Sequence, residues 1–329
     1  MASIEKMAFK GASWLALFKL ASQLFSWGIT LVIARILIPD DYGLMAMATM
    51  ITGYAALFSE LGLGAAIIQR SRINQSELSS VFWFAMVISL GLGIACFFSS
   101  YFMAYVFNEP RIIPLIKTIS ITFIINGLQI VPLSLLKKDL DFKKVGIIEM
   151  AGVLISSCCM MIIAYLGGGV WTLVGGNVIL SLAKLLFTYF YLPWLPQIHF
   201  NFNEAKAYIT FGITMTIGIS FYYLFDVLDK FFAGRAWPPL LLGCYSFALQ
   251  LAQIPTEKIV VLINQVSFSA FSELQHDQQK FNNFYLNLTK ITATLVIPLF
   301  VGGYLLGEDI IKAILNEKWF PDIFLNKNL

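Results

Sequence analysis

The 329-residue chain is 58% hydrophobic and only 12% charged, with 29 phenylalanines and a net charge of +3. A typical soluble domain carries about 25% charged residues, and no water-soluble domain of this size hides so much apolar surface, so lipid is the solvent for most of the chain. The scattered positive charge excludes nucleic-acid binding. With no G-x-x-x-x-G-K-[ST] loop and no nucleophile–base constellation, the chain does not read as an enzyme.

The first segment, "MASIEKMAFKGASWLALFKLASQLF", is basic and then apolar past Leu31 without a small-residue cleavage site. It reads as a retained first span. A bilayer core takes about 20 predominantly apolar residues per helical span. Nine segments meet that length, at 11–37, 42–68, 79–107, 112–136, 145–166, 170–193, 206–234, 240–265 and 285–306. Strand-like alternation is absent, so the expected fold is all-α and polytopic rather than a barrel. Breaks fall at "IPDDYG", "NEPR", "GGG" and "WPP". Lysine and arginine collect on alternate connectors (Lys6 and Lys10, Arg70 and Arg72, Lys137, Lys138, Lys143 and Lys144, Lys206, Lys280), which predicts a cytoplasmic N-terminus.

The polar break 194–205 divides six spans, residues 1–193, from residues 206–329, giving an expected six-helix lobe, a cytoplasmic linker and a second lobe of three helices. Segment 266–284 places Phe268, Phe271, Leu274, Phe281 and Phe284 near one helical face and reads either as an amphipathic interfacial helix or as a long loop. The four cysteines sit inside apolar runs and read as small core residues rather than a disulfide frame. His199 and His276 offer no metal-ligand spacing.

A charge near the middle of a membrane helix costs about 2.5–3.5 kcal/mol on insertion scales, so each such residue needs a role or an escape. Lys19 and Lys184 sit too deep for easy escape. Lys117 lies nearer the outer end of its span, where its stem can snorkel. Glu60 lies towards the inner end of the second span, and Glu149 opens the fifth near the cytoplasmic surface. Asp226 and Lys230 stand in the favourable order for a helical ion pair, while Asp229 shares their face less fully. Gln250, Gln253, Glu257 and Lys258 form a polar stripe around Pro255. More of the deep charge is positive, which suits a water-filled cavity receiving an anion.

"ARILIPDDYGLMAMA" and "GRAWPPLLLGCYSFA" align at an offset of about 200 residues, pairing Arg35 with Arg235, Pro39 with Pro239 and Gly43 with Gly243. Two readings stand: chance coincidence of common apolar residues, or an internal repeat of the kind that builds transporters from related halves.

The stretches "GASWLALFKLASQLFSWGITLVIARILIPDDYGLMAMATM", "FSELGLGAAIIQR" and "NQVSFSAFSEL" resemble the Wzx-type polysaccharide-repeat-unit flippases of the multidrug/oligosaccharidyl-lipid/polysaccharide exporter superfamily, over residues 8–320. The resemblance implies a bacterial inner-membrane protein with two six-helix lobes around a cavity and no cofactor. It would carry undecaprenyl-diphosphate-linked sugar repeats across the membrane for lipopolysaccharide or exopolysaccharide assembly, by alternating access. The implied partners are the lipid-linked oligosaccharide, membrane lipids, and polymerase and glycosyltransferase machinery. Lys19, Arg35, Lys117 and Lys184 would attract the diphosphate or acidic sugars, and Glu60, Asp226 or Asp229 would couple an ion. The other readings are a cation-coupled multidrug-type antiporter and a non-transporting scaffold. Members of the family carry a longer second lobe, so the expectation here is a C-terminally truncated frame or a partner chain, with poor transport by this polypeptide alone.

Overall fold

The computed structural model describes residues 2–60, 62–70, 73–255, 278–315 and 317–319. Ten α-helices follow one another among them: α1 Ala2–Ile36, α2 Pro39–Glu60, α3 Leu63–Gln69, α4 Gln75–Phe107, α5 Ile112–Lys138, α6 Phe142–Tyr165, α7 Trp171–Tyr191, α8 Phe202–Ala236, α9 Pro239–Pro255 and α10 Gln278–Ile314. A short 3-10 turn, Glu317–Trp319, comes last. Among the described residues, eight helical segments are long and apolar enough to cross a membrane, with α2 and α3 together counting as one. The chain is an all-α, multi-pass membrane protein. Of the span expected at 240–265, the structure describes α9 as far as Pro255; most of segment 266–284, with Glu257 and Lys258, lies outside the described residues.

Local chemistry explains the helix ends. Helices α2 and α9 both begin on a proline, whose fixed φ suits the first helical position and whose missing N–H costs nothing there. The Ile38 N–H donates to Asp41 Oδ2 at 3.1 Å, the backward half of a capping box. Asn108 closes α4 in the left-handed region at φ 53°, and the Asp141 carboxylate accepts from the Lys144 N–H at 3.3 Å to open α6.

Packing then inverts the soluble pattern. Large apolar side chains such as Tyr105, Phe190 and Phe225 are exposed, while Ser79, Ser80, Ser89, Ser100 and Thr188 are buried. Lipid does not drive apolar faces inward, so small polar residues that permit close approach line the helix contacts. Ser59 and Ser89 meet at 3.1 Å, and the Ser156 hydroxyl donates to the Gly176 carbonyl at 2.7 Å.

The chain forms two compact units, Met1–Leu242 and Gly243–Leu329. In the first, α5 lies centrally, with α2, α3, α4, α6 and α7 around it; α1 packs on α6, and α8 lies on α2, α3 and α4. The expected boundary at 194–205 falls inside this unit, because the connecting segment is strapped onto the start of α4. Gln75 Nε2 donates to the Leu195 carbonyl at 2.9 Å, Trp83 Nε1 to that of Gln197 at 2.9 Å, and the Gln197 N–H to Ser79 Oγ at 2.9 Å. Tyr208 then reaches back from α8 to Glu77 Oε2 at 2.9 Å. In the second unit the Phe247 and Trp319 rings lie 4.6 Å apart, and α10 exposes Leu295, Ile297 and Tyr304.

Candidate functional site: a polar hollow among apolar helices

Helices α3, α5, α6 and α7 enclose a hollow of about 290 Å³ lined by Gly64, Asn126, Gln129, Ser134, Lys137, Glu149, Ser181 and Lys184, among others. At its centre Lys184 Nζ pairs with Glu149 Oε2 at 2.6 Å, with side chains 24% and 30% exposed. Lys184 stands seven residues before the end of α7 and Glu149 seven residues after the start of α6. At 1.5 Å per residue each is about 10 Å in from its helix end, so the two charges meet at matched depth. Gly152, one turn beyond Glu149, makes room: a Cβ there would come 2.8 Å from Lys184 Cγ.

Hydrogen bonds fix the walls. Gln129, buried on α5, donates through Nε2 to Thr188 Oγ1 at 3.0 Å, and Thr188 donates to the Lys184 carbonyl at 2.7 Å. Tyr189 donates to the Leu128 carbonyl at 3.1 Å. Two rows of α7 are thereby fastened to α5, leaving Lys184 and Ser181 turned into the hollow. A buried charge survives only when paired or wet. Here one acid, one base and several amide and hydroxyl groups share one polar space, with Lys137 adding a second cation.

The other expected site residues do not gather here. Lys117 Nζ contacts Tyr101 Oη at 2.6 Å and sits 4.7 and 4.3 Å from the Phe97 and Tyr101 ring centroids on α4. Lys19 is exposed on α1 among exposed leucines, and Arg35 is exposed at the end of the same helix; neither lines this hollow. Asp226 pairs with Lys230 at 3.3 Å, as the spacing predicts, and Asp229 Oδ1 accepts from the Lys230 N–H at 2.7 Å. The Glu60 side chain lies outside the described residues. Cys158 is exposed, which corrects the expectation that all four cysteines are core residues. Glu149, Gln129 and Thr188 were missed as site residues. A signal for Glu149 existed: a deep lysine needs a counter-charge, and Glu149 is the one acid in α6, at the same distance from its helix end.

At the opposite end of the bundle, Arg111 clasps Asp40 Oδ2 at 2.7 Å and Glu109 Oε1 at 2.8 Å, tying the α1–α2 and α4–α5 turns together. Hydrogen bonding from Arg111 holds the Glu109 carboxyl below its ordinary value and pushes the guanidinium up.

Residues 32–323 match the model of the family described as "Polysaccharide biosynthesis protein". The chain belongs to that family. The chain is 28% identical over 96% of its length to the Escherichia coli lipopolysaccharide biosynthesis protein WzxC, of which it covers 65%. It is 25% identical over 98% of its length to the Bacillus subtilis teichuronic acid biosynthesis protein TuaB, covering 67%. It is 22% identical over 95% of its length to the Rhizobium meliloti succinoglycan biosynthesis transport protein ExoT, covering 64%. The chain thus spans about two thirds of the length of these relatives.

Proposed function

We propose that this chain is part of a transporter that moves lipid-linked oligosaccharide repeat units, carried on undecaprenyl diphosphate, across the bacterial inner membrane. The observation that carries the reading is the Lys184–Glu149 pair inside a polar hollow between apolar spans, in a member of a polysaccharide biosynthesis family. An ion pair at that depth is retained against its desolvation cost where a polar cargo or ion must be met. The names of WzxC, TuaB and ExoT support the polysaccharide context, and ExoT's supports transport.

The sidedness of the basic connectors supports a cytoplasmic N-terminus, which puts the hollow towards the cytoplasmic half, where such a cargo is assembled. The repeat of Arg35, Pro39 and Gly43 at Arg235, Pro239 and Gly243 supports descent from two related lobes. Lys184 is the cation assigned to the cargo path; Lys19, Arg35 and Lys117 are second in line, and Asp226, Asp229, Glu60 and Glu149 are the coupling candidates.

The test is genetic and chemical. Deleting the gene is expected to leave lipid-linked repeat units trapped on the cytoplasmic face and surface polymer lost, with Lys184→Ala reproducing the defect at normal protein level. An unchanged pool of lipid-linked repeats on deletion would sink the reading.

A further inference from the structure

A second cleft, of about 260 Å³, lies between α2, α4 and α8. Its walls are apolar: Met50 and Tyr54 from α2, Met103 from α4, and Tyr223, Val227 and Phe231 from α8, among others. The eight-residue step from Tyr223 to Phe231 carries it about 12 Å along the α8 axis. The two tyrosines close its deeper end. Tyr223 donates to the Thr49 carbonyl at 3.2 Å, and its ring lies 6.0 Å from that of Tyr54. All three helices are membrane spans, so the cleft opens within hydrocarbon. A void there forfeits dispersion contacts along its whole lining, and the surrounding medium supplies chains that restore them.

What lifts this above ordinary wetting by lipid is the group at the cleft's other end. Arg235 follows Phe231 by one helical turn and so shares its face. It is exposed, and its Nη1 donates to the Val106 carbonyl at 2.7 Å, anchoring it to the α4 terminus three residues beyond Met103. A guanidinium has five N–H donors in a planar fork, so this anchor leaves the rest of the fork for a ligand. Helices α4 and α8 end at Phe107 and Ala236, which puts the guanidinium at headgroup level and the cleft below it.

We propose that this cleft is a binding site for one glycerophospholipid, with an acyl chain laid between α2, α4 and α8 and its phosphate held by Arg235. Charge complementarity selects the phosphate, and the apolar lining excludes sugar. The bound lipid would fill the seam between α2 and α8, making it a part of the fold that the bilayer supplies. The site is separate from the polar hollow and stands whether or not the chain transports a saccharide.

The experiment uses the full chain in phosphatidylcholine nanodiscs containing a phospholipid with a photoreactive acyl chain, and maps crosslinks by mass spectrometry. Labelling is expected to concentrate on residues 50–54 and 223–231, and to exceed that at the exposed face of α7 around Leu186 and Phe190. Arg235→Gln is expected to lower cleft labelling about tenfold, from the loss of a charge-assisted contact, and Arg235→Lys to retain much of it. Val227→Trp, which fills the cleft, should abolish it. Equal labelling of the cleft and the α7 face, or no difference between Arg235→Gln and the parent, would overturn the proposal. Displacement of the label by a polyprenyl diphosphate at a concentration where unlabelled phospholipid has no effect would overturn it in favour of a cargo-lipid site.

Discussion

Among its described residues the first unit has two clefts of similar size, about 290 and 260 Å³, whose chemistry is opposite. The hollow among α3, α5, α6 and α7 mixes amides, hydroxyls and an ion pair with Ile130, Leu133 and Leu180, while the cleft among α2, α4 and α8 is walled by methionine, isoleucine, leucine, valine and aromatic rings. Both are cut into helices of comparable hydropathy. The difference teaches that in a membrane helix a few polar side chains, and not the average composition, decide what a space holds. Where Lys184 and Glu149 converge, the lining suits polar matter; where no such groups converge, it suits hydrocarbon.

The contrast is easiest to break at the ion pair. Glu149→Leu leaves Lys184 deep and unpaired. Breaking a buried pair costs about 3–5 kcal/mol, and the low end is expected here because both partners keep roughly a quarter of their exposure. Thermal unfolding in detergent measures it. The double variant Glu149→Met with Lys184→Met is expected to regain most of that stability while transport stays lost. If the double variant still transports, the hollow is not on the cargo path.

The next largest effect belongs to the apolar side of the comparison. Gly43 packs so closely on the α8–α9 turn that a Cβ would stand 1.8 Å from the Pro239 carbonyl oxygen. Backbone cannot step aside as a flexible side chain does, so Gly43→Ala should cost about 1–3 kcal/mol and loosen the α2–α8 seam. Faster modification of a cysteine at Thr49 would report that loosening; an unchanged rate and midpoint would mean the seam has slack.

A smaller effect comes from the clasp across the turns. The Glu109 carboxyl is depressed by its hydrogen bonds from Arg111, so its contribution is present above the ordinary carboxyl value and disappears as pH falls through the folded one. The expected contribution is about 0.5–1 kcal/mol, the range of exposed ion pairs. Glu109→Gln should therefore lower the unfolding midpoint at pH 7 and have less effect at pH 3. An equal effect at both pH values would remove Arg111 as the cause.

An effect of similar size concerns Lys117, a cation near the outer end of α5 whose partners are rings instead of an acid. Lys117→Gln should cost about 0.5–1 kcal/mol through lost cation–π contact and leave transport intact. A transport defect at normal stability would return Lys117 to the cargo path.

Several of these contacts were legible in advance and several were not. The Asp226–Lys230 pair follows from helical spacing, and the structure has it at 3.3 Å. Pro39 and Pro239, read as breaks between spans, are the first residues of α2 and α9. Lys184 was legible as a deep charge in need of an explanation, but its partner was not, since Glu149 sits 35 residues away and reads as a surface acid when each span is taken alone. The strap over α4 was hidden in a segment that looks like a plain polar break. Its Gln197 and Asn201 acquire meaning only beside Ser79 and Ser80 of α4.

The sequence by itself determined that this is an all-α membrane protein, roughly where eight of its spans lie, and which charges needed an explanation. These are sums along the chain: length of apolar run, position of proline, depth of each ionisable group. The tertiary structure alone decided which charges meet, that α8 belongs to the first compact unit, and which cleft is polar. The physical reason is that lipid tolerates an apolar side chain on any face of a helix. Periodicity therefore says little about how each helix is rotated, and rotation is what turns Lys184 towards Glu149 and Lys117 towards Tyr101.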